Sequence, residues 1–137
     1  MSLTAAFRDW LASRASLAAH LGAGQAARAW HAHAPEGAAG TYLVFHLIGG
    51  EGHAHMGGAS AIHSPGLQVN VWGDDAGDVQ AAVLAVRAEL HGFRGSWGTY
   101  AVRRVTCSEP VDVTDFEDDG AGEARPGARL EALVWYA

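Results

Sequence analysis

Seven consecutive residues, Tyr42-Leu43-Val44-Phe45-His46-Leu47-Ile48, are β-branched, aromatic or leucine with only His46 interrupting them. A run so short and so apolar reads as a strand buried on much of both faces, so it needs hydrogen-bonded neighbours at its sides and covering layers above and below. Further on, Leu67, Val69 and Val71 alternate with Gln68, Asn70 and Trp72, the period-two pattern of a strand with one buried side. Tyr100, Val102 and Val105 suggest another strand, Leu130 to Tyr136 a further one, and Gln25 to His33 a short one.

Two stretches have helical spacing. Phe7, Trp10, Leu11, Leu17 and Leu21 recur every three or four residues between Thr4 and Leu21, and Gly22 and Gly24 supply a stop. In the second, Asp74 or Asp75 caps a helix whose buried stripe is Val79, Ala82, Val83, Val86 and Leu90, and Gly92 closes it. Phe7, Leu11 and Leu17 should meet Val79, Val83 and Val86 over one apolar sheet face. The loops between strands are too short for crossover helices, which implies antiparallel pairing. The expectation is one α+β domain over residues 1–137: a mostly antiparallel sheet of four to five strands with two helices packed on one face. Gly49 to Ser64 and Asp115 to Gly127 read as mobile excursions, the first rich in glycine and histidine, the second acidic.

Composition narrows the chemistry. Of 137 residues, 28 are Ala and 18 are Gly, so the core is modest and partner subunits are expected to supply part of the burial. All nine basic residues are Arg, which excludes Schiff-base chemistry and the lysine of a phosphate-binding P-loop. A net charge of −6 opposes nucleic-acid binding. Cys107 is the single cysteine, so neither an internal disulfide nor a multi-thiolate zinc site is open to one chain. Arg8 and Asp9 stand where a secretory signal would be apolar, and no apolar run is long enough to cross a membrane.

The eight histidines are the compositional oddity. His31 and His33 would share one side of a strand, and His53 and His55 one side of an extended loop, which makes these four the weak candidates for a metal site. Paired histidines in loops without a carboxylate or thiolate at fixed spacing are more often solvated, and the expectation is no metal and no cofactor. The glycines from Gly49 to Gly52 lead into more loop rather than into a helix, unlike a phosphate cradle. Cys107 and the serines have no nucleophile motif around them. The carboxylates between Asp112 and Asp119 are too hydrophilic in setting for acid–base pairing. Trp97, between Gly95 and Gly98, either caps the core edge or anchors a partner. The candidate interface residues are therefore His53, His55, Trp97, Asp115, Glu117 and Asp118.

The succession of Arg28-Ala29-Trp30, Pro35-Glu36-Gly37, Tyr42-Leu43-Val44-Phe45, Leu67-Gln68-Val69-Asn70-Val71-Trp72-Gly73, Ala85-Val86-Arg87, Gly92-Phe93-Arg94-Gly95 and Val134-Trp135-Tyr136 resembles the small tail-completion proteins of long-tailed bacteriophages and prophages, also called tail terminator or head-to-tail joining proteins. The resemblance implies a non-enzymatic virion protein that assembles in the bacterial cytoplasm. It would cap the tail tube as a ring, typically a hexamer, and join it to the head connector proteins. The rival reading is a small histidine-rich metal-binding or sensor domain, and a third is a small enzyme of unrecognised type.

Overall fold

The computed structural model describes residues 2–49, 52–55, 58–115 and 125–137. The apolar run forms β2 (Tyr42–Ile48), flanked by β1 (Ala29–His31) on one side and β5 (Gly66–Trp72) on the other. β5 then pairs with the long β9 (Arg125–Tyr136), the hub of the sheet, which also pairs with β4 (Gly58–His63), β7 (Tyr100–Cys107) and β8 (Val111–Asp115). β3 (Gly52–His55) borders β4, and β6 (Gly95–Trp97) borders β7.

The class is α+β as expected, but the sheet is larger than four or five strands and it is mixed. Nine strands join it among the described residues. β1 runs parallel to β2, with Ala29 opposite Leu43 and His31 opposite Phe45. A parallel return normally needs a long crossover. Here residues 32–41 make it without a helix, turning through Ala32, Gly37 and Gly40, all at positive φ. The segment expected as a loop between Gly49 and Ser64 contains the antiparallel hairpin of β3 and β4, with Ala54 opposite Ala59. Its glycines and histidines carry little strand propensity, so only backbone pairing reveals it. The acidic stretch likewise begins as a strand, because Val111 and Val113 alternate with Asp112 and Thr114 along β9.

The N-terminal helix is two helices, α1 (Leu3–Ser13) and α2 (Ala15–Leu21), which with α3 (Ala76–Leu90) gives three rather than two. Ser2 caps α1 by accepting from the Ala5 N–H. The break falls at Arg14, whose backbone is extended. The Ser13 hydroxyl donates to the Trp10 carbonyl at 2.7 Å, drawing the last turn closed on itself. Turning out at this point lets Arg14 reach Glu89 of α3, Nε to Oε2 at 3.1 Å, while the Ser16 hydroxyl bonds the other oxygen of the same carboxylate. Asp75 is the cap of α3, accepting from the Asp78 N–H at 3.1 Å.

Phe7, Leu11 and Leu17 lie in one buried cluster with Val79, Val83 and Val86, as the two stripes require. The sheet contributes Leu43 and Phe45, Leu67, Val69 and Val71, and Ala128 to Val134 in alternation. No helix among the described residues is long and apolar enough to cross a membrane.

Candidate interaction surface

The register divides the sheet cleanly into two faces. Phe45, Val69 and Leu130 stand side by side across β2, β5 and β9, and so do Leu43, Val71 and Ala128. These rows carry the core. The intervening rows point away from it: Val44–Asn70–Arg129, His46–Gln68–Glu131 and Ile48–Gly66–Leu133. None of those nine residues belongs to the core cluster that the helices share. Among the described residues, all three helices therefore bury their apolar stripes on one face; on the other, Tyr42, Val44 and Asn70 are still buried, with the Trp30 ring 5.9 Å from that of Tyr42, and the face opens only towards Ile48 and Leu133.

In the middle of that face Val44 lies beside polar residues, and the Arg129 Nε donates to the Oδ1 of the buried Asn70 at 3.2 Å. Its end is apolar. Ile48 is 45% exposed and Leu133 39% exposed, far more than isolated packing of a strand end requires. Between them lies Gly66, paired to both, so the row dips where the glycine has no side chain. An open groove of about 600 Å³ follows this dip, lined by Ile48, Gly66, Leu133, Trp135, Arg104 and Glu131 among others. The Arg104 guanidinium lies 5.5 Å from the centre of the Trp135 ring and fixes that wall. The β7–β9 register shifts between Val102 and Arg104, so Arg103 and Arg104 are both exposed on consecutive positions.

The residues singled out from sequence do not converge. The strand of His31 ends at once, because Ala32 sits at φ 73° and the His33 N–H donates back to the His31 carbonyl at 2.9 Å. That three-residue turn breaks the alternation which would have put His31 and His33 on one side. The His31 ring instead packs on Phe45, centroids 5.4 Å apart. His53 and His55 fall on β3, and their side chains lie outside the described residues, as does that of Asp115 on β8. Glu117 and Asp118 lie outside the described residues altogether. No group of three metal-ligating side chains occurs among the described residues.

Trp97 is a correction to the interface set. It is 1% exposed, within 4.9 Å of Phe7, 5.5 Å of Trp10 and 5.9 Å of Phe93 between ring centres, so its ring is used up inside the core. Cys107 is also buried, and burial pushes its thiol from 9.0 up to about 11 although Arg87 pulls the other way. Such a thiol stays protonated near neutral pH and is a poor nucleophile.

The groove residues that sequence reasoning missed are Ile48 and Leu133, both exposed, and the half-buried Gly66 between them. Each belongs to a strand that was legible, but the continuous apolar run of β2 hides which end emerges from the core. Once β2, β5 and β9 are in register, the row of two large apolar residues around a glycine is the signal.

No family model matches the chain, and no curated protein matches it. Solved structures do match. The fold is similar to that of a chain in the virion of a native gene transfer agent particle, with a TM-score of 0.65 and 22% identity. The match spans 98% of this chain and 92% of that one.

Proposed function

We infer that this chain is a structural, non-enzymatic component of a phage-like virion. The observation that carries the reading is the nearly full-length fold similarity to a chain of a gene transfer agent virion. The surface is compatible with it: Ile48 and Leu133 stand exposed at one end of a sheet face, where another subunit could cover them. The tract order resembling tail-completion proteins refines the role. The protein would sit as a ring, six-membered in that family, at the end of the tail tube and contact tube and head-connector proteins there. Its net charge of −6 would let DNA pass without adhering. The β3 strand with His53 and His55, and the β8 edge with Asp115 and the following Glu117 and Asp118, are the candidate contacts to those neighbours.

Mass spectrometry of purified particles from the host, together with electron microscopy of a gold-labelled tag on this chain, tests the reading. The label is expected at the junction of head and tail, and deletion of the gene should leave heads and tails unjoined. Normal, infectious or gene-transferring particles in the deletion strain would overturn it.

A further inference from the structure

We propose that the groove around Gly66 receives helix α3 of a second copy of this chain, with Leu84 as the inserted side chain. The proposal deepens the virion reading by naming the surfaces of self-assembly, and it rests on that reading only for its biological setting. Leu84 is 48% exposed on α3, turned about 130° around the helix axis from the buried Val79, Val83, Val86 and Leu90 stripe. Around it on the same side stand Gly77, Ala81 and Ala88, all exposed and small, with the exposed Gln80 one turn before it as a polar flank. The helix therefore presents one large apolar side chain on a low ridge. The groove presents the counterpart, an apolar dip at Gly66 between Ile48 and Leu133.

Charge decides the orientation. From Leu133, Trp135 and its neighbour Arg104 lie about 7 Å one way along β9, and Glu131 lies about 7 Å the other way. From Leu84, Asp78 lies about 9 Å towards the helix N-terminus, with Asp74 and Asp75 beyond it, while Arg87 lies towards the C-terminus. With α3 running antiparallel to β9, the acidic end meets Arg103 and Arg104, while Arg87 keeps its own partners, Glu109 at 3.3 Å and the Ser108 carbonyl at 3.0 Å. Among the described residues Asp78 forms no ion pair, and neither do Arg103 and Arg104. The two surfaces are on opposite sides of one chain, so the contact is head-to-tail and repeats around a ring or along a filament instead of closing at two.

Sedimentation equilibrium on the full chain tests this. The wild-type mass is expected to rise above 14.3 kDa with concentration, whereas Leu84→Glu and Leu133→Glu alone should each stay monomeric. Mixed in equal amounts, those two variants should form a species of two chains and no larger, because each retains the surface the other has lost. Arg104→Glu should weaken association, and adding Asp78→Arg should restore it; both positions are exposed, so this pair keeps the test valid if Leu133→Glu does not fold. A wild-type chain monomeric at millimolar concentration, a single variant that associates like wild type, or a mixture that stays monomeric would overturn the contact. Particles that contain the protein and assemble normally with Leu84→Glu would also overturn it, and would leave the virion reading intact.

Discussion

Trp72 lies across the backbone of Gly127. The two are partners in the β5–β9 register, and a side-chain carbon at position 127 would overlap the six-membered ring of Trp72. The indole thus covers the place where glycine leaves the sheet bare, and it pins the register of the β5–β9 pair.

Gly127→Ala should therefore be costly despite its small size. Forcing one carbon into an occupied site costs about 1–3 kcal/mol, and thermal denaturation should show a lower midpoint. Trp72→Leu in the same background should recover part of the loss. A Gly127→Ala protein as stable as wild type would mean that the ring moves aside freely.

Two arginines hold the segment between α2 and β2. Arg28 donates to the Thr41 carbonyl at 2.8 Å and the His20 carbonyl at 2.9 Å; Arg8 donates to Gly24 and Ala27 carbonyls, each at 3.0 Å. Arg28→Met should cost about 1–3 kcal/mol by leaving both its acceptors without a donor. Arg28→Lys should rescue little, since one ammonium cannot reproduce the spread of the guanidinium fork. Chemical denaturation of both variants is the check, and full rescue by lysine would reduce the role of Arg28 to its charge.

The helical layer makes its own prediction. Leu11 and Val83 are buried in the same cluster from different helices. Leu11→Ala should destabilise by about 2–5 kcal/mol. Val83→Ala should act in the same direction and less strongly, having fewer atoms to lose. If either left the melting temperature unchanged, the packing of α1 or α3 on the sheet would have to be different.

Cys107 ties stability to alkaline pH. Its folded thiol titrates at about 11 against an ordinary 9.0, so the unfolded chain gives up this proton first. The contribution is complete below pH about 9 and is lost as pH rises towards about 11. Denaturation midpoints should fall across that window in wild type and fall less in Cys107→Ala. Alkylation by iodoacetamide in the native state should be slow at pH 8, and rapid labelling there would contradict the burial.

Much of the fold is legible in the sequence where one physical signal dominates. The alternation from Leu67 to Trp72, the run from Tyr42 to Ile48 and the Asp75 cap each fall where expected. The break at Arg14 is hidden because apolar spacing continues through it; in the fold the extended Arg14 coincides with its reach to Glu89 on α3, a contact no local spacing announces. The β3–β4 hairpin is invisible because glycine and histidine specify no face. For the interaction surface, His31 and His33 misled because alternation was carried past Ala32, whose positive φ is a backbone property with no glycine to announce it. Ile48 and Leu133 could not be matched until the register brought them to either side of Gly66.

The central place of β9 governs the order of events in folding. β4, β5, β7 and β8 all take β9 as a hydrogen-bonding partner, and Val69 meets Leu130 only after most of the intervening chain has been brought into a closed loop. Non-local pairing of this kind makes folding slow. Until it forms, four strands lack the partner they share and present open edges at once. The dangerous interval for this protein is thus before β9 docks, and a substitution that merely delays that step would deplete the usable pool through aggregation while leaving the finished molecule as stable as before.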